Sequence, residues 1–177
     1  MKKIFITFIT LVALVAGTAI AGLPITKVDR VNPTDEIFID MALSAAKSNV
    51  EQGGLPCGAV VILNGALRSS GKATATATAE ENAIVSSRKK KLNMATIFTI
   101  NEPTTEAYNA ICRSGADAVV FVNSREDVIA KGVYPADAYN DELIDSTLTK
   151  VPMHQMDYRD ASTFLKIFGL FWRFWPK

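Results

Sequence analysis

Histidine is nearly missing from this chain: His154 is the only one in 177 residues, and Cys57 and Cys112 are the only cysteines. Neither their number nor their spacing resembles a zinc site, which draws three or four ligands from such side chains. Excess charge of one sign is also missing. With 19 basic and 18 acidic residues the net charge is +1, so the balance points to neither nucleic acid nor an acidic polymer as partner. The apolar run at residues 4–15 falls short of the ~20 residues that span a bilayer. No internal repeat is visible, and residues 72–77 alternate Thr and Ala without chemistry.

What is present begins with a leader. Lys2 and Lys3 precede that apolar run, and the small residues Ala19 and Ala21 follow it, the order of a Sec-type secretory signal peptide over residues 1–21. The expectation is an exported protein, periplasmic or secreted. In an oxidising compartment Cys57 and Cys112 have two outcomes, a disulfide or two buried thiols. Residues 22–31 read as a connecting leader. The remainder, about 155 residues, suits one domain with one core, taken here as 32–150 followed by a C-terminal segment 151–177.

Asn32-Pro33 gives an N-cap and a proline at the first helical position. A helix follows, with Ile37 or Phe38, Met41, Ala45 and Val50 near helical spacing, ending at Gly53-Gly54. Two strand-like runs flank Asn64-Gly65, a strong hairpin signal. Next come a helix from Ala79 to about Lys90, a strand at 95–100, a helix at 104–114, a strand at 118–122, and helical segments at 125–131 and 136–144. Strands alternating with helices predict an α/β fold with parallel crossovers. The basic run 88–91 is expected at the C-terminus of its helix, where cations complement the dipole.

Three segments carry a resemblance. They are Leu55-Pro56-Cys57-Gly58-Ala59-Val60, Thr78-Ala79-Glu80, and Glu102-Pro103-Thr104-Thr105-Glu106-Ala107 followed by Ala110-Ile111. In order and approximate spacing the chain, over about residues 33–144, resembles the cytidine deaminase-like superfamily. Its nearest branch holds guanine, cytosine and tRNA adenosine deaminases, whose motifs read Pro-x-Gly-Ala-Val, His-Ala-Glu and Glu-Pro-Cys-x-Met-Cys. The resemblance implies a three-layer α/β/α fold with a five-stranded mixed sheet and two site helices converging on a pocket. It also implies zinc held by His and two Cys, with a glutamate as proton shuttle.

The departures decide what function is expected. Thr78, Thr104 and Ala107 stand at the metal-ligand positions, so no metal and no cofactor is expected; Glu80 alone keeps its place, as the one catalytic candidate. A replacement site would need carboxylates from Glu80, Glu81 or Glu106. Glu80 also has an ordinary reading as an acid in the first turn of a helix, and Thr104 as an N-cap. Pro56, Cys57, Gly58, Thr78, Pro103, Thr104 and Ala107 are expected to line the pocket. The loop after Gly71 is shorter than in the resembling enzymes and lacks their base-holding Asn. The expected function is a non-catalytic pseudoenzyme that binds a small polar ligand, a nucleobase or a protein. The alternative is a deaminase-family hydrolase with unusual metal binding that uses Glu80.

The C-terminal segment is apolar over most of a helix, with Ser162, Lys166, Gly169 and Arg173 on one narrow stripe. Such a helix must be covered. Three covers are open: its own domain, a second copy in a homodimer, or a membrane interface met by the tryptophans and the cations.

Overall fold

The computed structural model describes residue 23, residues 25–28 and residues 32–172. The signal-peptide reading and the last aromatic residues, Phe174 and Trp175, lie outside the described residues. Six strands form one sheet in the order β1-β6-β5-β4-β2-β3: β1 (Ile25–Val28), β2 (Gly58–Leu63), β3 (Ala66–Lys72), β4 (Ala95–Thr99), β5 (Ala118–Phe121) and β6 (Met153–Met156). β2 is antiparallel to β3 and β4, while β4, β5, β6 and β1 run parallel. The sheet is therefore mixed, as expected, with one strand more than the expected five. The extra strand is β1, inside the segment read as leader. It carries only four residues, all exposed, and so leaves no alternating pattern to read.

Alternation along the inner strands makes two cores. Val61, Ile97, Val119, Phe121 and Met153 face one cluster, while Val60, Ile62, Phe98, Val120 and Met156 face the other. Helices α2 (Ala79–Ser86) and α3 (Thr105–Ser114) cover the first face. Helix α1 (Pro33–Glu51) covers the second. The layers close tightly at two glycines. A methyl group on Gly58 would overlap the α1 backbone at Ala42 and Ala46, and one on Gly71 would overlap α2 at Ala79 and Ala83.

Local signals account for most boundaries. Asn32 caps α1 by accepting from the Thr34 amide at 3.1 Å, and Gly53 turns the chain out of it at φ 82°. Asn64 and Gly65 take φ 53° and 75°, the paired positive values of a type I′ hairpin turn. The buried side of α1 is Phe38, Ile39, Ala42, Leu43, Ala46 and Asn49, whereas Ile37 and Met41 face outward. The expected phase was thus off by one residue, because Ile37, Phe38 and Ile39 are consecutive and only packing selects among them.

Three other boundaries differ. α2 stops at Ser86, whose successor Ser87 caps it, and Arg88 turns left-handed at φ 54°. The basic run therefore lies beyond the helix, with no cation in its last turn. The segment expected as a helix over 136–144 is two single turns of 3₁₀ helix, Ala136–Ala138 and Asp141–Leu143, broken where Asn140 caps the second. Helix α4 (Arg125–Ala130) begins as expected, capped by Ser124. Helix α5 (Arg159–Trp172) starts earlier than its apolar run and contributes to both cores, Ala161 to one and Leu165 and Phe168 to the other. Cys57 and Cys112 are both buried and free.

Candidate functional site

The site forms where α2 and α3 begin, at the end of β4 and the start of β2. Thr78 caps α2 in a capping box: its hydroxyl accepts from the Glu81 amide at 3.3 Å, and Glu81 accepts from the Thr78 amide at 2.9 Å. Thr104 caps α3 by accepting from the Ala107 amide at 3.3 Å. Both threonine hydroxyls, at positions where a ligand atom was expected in the resembling family, thus serve to satisfy backbone amides.

Glu80 points inward from the first turn of α2 and is 6% exposed. Its Oε1 accepts from the Thr99 hydroxyl at 2.6 Å. Burial pushes its carboxyl above the usual carboxylate range, opposed by hydrogen bonds from Thr99, from its own backbone amide and from Thr78. Cys57, at the foot of β2, is pushed up to about 12, first by burial, and is therefore a neutral thiol. Asn101 holds that corner: its Nδ2 donates to the Pro56 carbonyl at 3.0 Å and to Cys57 Sγ at 3.4 Å. Asn123 Nδ2 donates in turn to Asn101 Oδ1 at 3.0 Å.

Two tyrosines complete the cluster. Half-buried Tyr134 and buried Tyr139 lie near Cys57 and Glu80, and burial raises both phenols further out of the titrating range. The segment carrying them is fastened by ion pairs. Arg125 Nε lies 2.6 Å from Glu102 Oε1 and its Nη1 lies 3.1 Å from Asp141 Oδ1. The Arg125 guanidinium stacks 5.5 Å from the Tyr139 ring centre, and the Tyr139 hydroxyl donates to the Glu102 carbonyl at 3.2 Å. Glu102, 3% exposed, is fully used, since its Oε2 accepts from the Arg125 amide at 2.9 Å.

The structure thus joins Pro56, Cys57, Gly58, Thr78 and Glu80 around one buried polar cluster. It places the buried Pro103, Thr104 and Ala107 at the start of α3, which packs on α2. Thr99, Asn101, Asn123, Tyr134 and Tyr139 were not anticipated. Asn101 could have been: a polar residue ending an apolar strand immediately before Glu102-Pro103 is a signal. Tyr134 and Tyr139 left none, because their approach depends on the long return between α4 and β6.

No family model and no curated protein matches the chain. Solved structures do. A tRNA:A34 deaminase is 20% identical with TM-score 0.60, covering 73% of this chain and 99% of its own. The guanine deaminase of Nitrosomonas europaea is 18% identical with TM-score 0.63, over 80% and 87%. That of Bacillus subtilis is 23% identical with TM-score 0.56, over 83% and 97%. The chain has the cytidine deaminase-like fold.

The donor set at this deaminase-fold site does not fit a zinc ion. Thr78 and Thr104 offer neutral hydroxyls already engaged as caps, and Ala107, fully buried, has no donor atom. Cys57 is a single sulfur donor, held by Asn101 Nδ2 at 3.4 Å. His154 sits on β6 opposite Val120, two strands from β4. Among the described residues no three His, Cys, Asp or Glu side chains come together in a metal-binding group.

Proposed function

We propose that this chain is an exported protein that keeps the deaminase fold as a scaffold, works by binding, and has no zinc chemistry. The observation that carries the reading is that Thr78 and Thr104, which stand where the resemblance implies metal ligands, cap their helices, with Ala107 at the third such position. Without a metal, the attacking water stays near its bulk pKa of about 15.7 instead of about 7. General acid or base help from Glu80, worth ~10² to 10⁴ in rate, does not recover that difference. Buried Tyr139 and half-buried Tyr134 beside Glu80 and Cys57 favour a partner met at the surface over a nucleobase held at the site. The basic start and small-residue end of residues 1–21 support export.

One observation favours the enzymatic alternative: the raised carboxyl of Glu80 at the head of a site helix is suited to carry a proton. Elemental analysis of the purified protein, with ammonia release from cytosine, guanine, adenosine and their relatives, separates the two. The expected result is no stoichiometric zinc and no ammonia. The triple variant Thr78→His, Thr104→Cys, Ala107→Cys is expected to gain zinc binding on this fold, whether or not turnover follows. One zinc per unmodified chain, or ammonia release that Glu80→Gln abolishes, would overturn the binding reading in favour of the enzyme.

A further inference from the structure

The near-zero net charge conceals a local excess. Arg88, Lys89, Lys90 and Lys91 form one exposed run between α2 and β4, and Arg113 is exposed in the last turn of α3. The run is fixed at both ends. Ser87 before it is fully buried, donates to the Ile84 carbonyl at 2.6 Å and accepts from the Lys89 amide at 3.2 Å. Leu92 after it is fully buried, and its amide donates to the Ser114 carbonyl at 2.8 Å. Lys91 Nζ donates to the Arg113 carbonyl at 3.1 Å, which joins the run to the end of α3. Among the described residues the ion pairs are those of Arg125, so none of these cations has a carboxylate partner. The acids near them are engaged: Glu81 by the Thr78 amide at 2.9 Å, and Asp145, close to Arg113, by the Thr147 amide and hydroxyl at 2.9 and 2.6 Å.

Lys90 and Arg113 also line a groove of about 320 Å³ between α2 and α3, whose apolar part is Ile84, Val85 and Ala110. Val85 is 75% exposed, more than any other large apolar side chain among the described residues. On α2 Glu81 and Val85 are one turn apart, and on α3 Ala110 and Arg113 are. The groove therefore runs along both helices, and its positive end is the one away from Glu80.

We propose that this groove and the basic run beside it bind an acidic segment of another protein, with an aliphatic side chain in the groove and carboxylates on Lys90, Arg113 and the run. The inference rests on the reading that the chain works by binding a partner at its surface, and it gives that partner a place and a chemistry. Exposed ion pairs are each worth little, so the charges supply attraction and the groove supplies register. A nucleic-acid strand fits less well, since strands are held by stacking on aromatic side chains and none lines this groove. A lipid surface is flat, whereas the apolar atoms here lie in a concavity. A second copy paired about a two-fold axis sets Lys90 and Arg113 against their own copies.

The test is selection of a phage-displayed random-peptide library on the immobilised protein, followed by fluorescence titration of a recovered peptide. The recovered peptides are expected to carry leucine, isoleucine or valine beside aspartate or glutamate, and their affinity should fall as salt screens the attraction. Lys90→Glu should weaken binding about tenfold and Val85→Ser severalfold, each with the parent's thermal melt, because both side chains are exposed. Lys47→Glu, the same charge change at an exposed position of α1 across the sheet, should leave the affinity unchanged. The proposal fails if no acidic peptide is recovered, or if Lys90→Glu weakens binding no more than Lys47→Glu does. It also fails if an oligothymidine strand or phosphatidylglycerol vesicles bind more tightly than the peptide and lose that binding in Lys90→Glu, or if the parent is a dimer that Val85→Ser separates. Each of these failures leaves the binding reading standing. That reading falls instead on stoichiometric zinc, or on ammonia release that Glu80→Gln abolishes, and Lys90→Glu alters neither.

Discussion

A threonine at a helix start has one hydroxyl, and at both site helices a backbone amide uses it. Beside Thr78, Glu80 is buried with no cation paired to its carboxyl among the described residues. Its folded-state pKa is raised, chiefly by burial, so over the interval above the ordinary carboxylate value the folded chain holds a proton that the unfolded chain has released. Stability then falls as pH rises through that interval and is fully present below it. Glu80→Gln keeps an acceptor for the Thr99 hydroxyl and removes the titration. The variant is expected to melt higher than the parent near neutral pH and to match it at pH 4. Paired thermal melts across pH 4 to 8 check this. A parent whose stability climbs through that range relative to the variant would mean that Glu80 is stabilised as a carboxylate. At this scale the sequence was informative where a residue acts through its neighbours in the chain, as Thr104 does. It was silent where a residue acts across the fold, as Thr99 does on Glu80.

Elements show the same division. The helix starts at Asn32, Thr78, Thr104 and Ser124 and the turn at Asn64-Gly65 were legible, because each is a local bargain between one side chain and two or three backbone groups. The inward side of α1 was not, since three consecutive large apolar residues satisfy several phases equally. Nor was the close approach of α2 to β3. Gly71 reads in the sequence as the end of a strand, yet a methyl group there overlaps the α2 backbone at Ala79 and Ala83. Backbone cannot yield as the end of a flexible side chain can, so Gly71→Ala must push α2 and its Glu80 away from the sheet. The expected cost is roughly 2 to 3 kcal/mol, read from urea unfolding. The variant's pH dependence should also flatten toward that of Glu80→Gln, as water reaches the carboxyl. An alanine variant as stable as the parent would show that α2 slides on β3 with no penalty.

For the whole molecule the deciding feature is the sheet order, in which the last strand of the chain, β6, lies inside and a short strand from near the start, β1, pairs along its outer side. The expected leader is therefore part of the fold. β1 buries little, since all four of its residues are exposed, so its contribution to the core is small. Its contribution to solubility is larger: without it, β6 presents an unpaired edge, with Met153 and Met156 already in the cores, and an open edge is a template for another chain. A chain beginning at Asn32 is expected to stay folded with a modestly lower melting temperature and to self-associate as its concentration rises. A chain beginning at Gly22 should not do so by this route. Light scattering on both chains over a range of concentrations isolates the edge. If the shortened chain remains monomeric throughout, something other than β1 guards β6, and residues 22–31 are a leader after all.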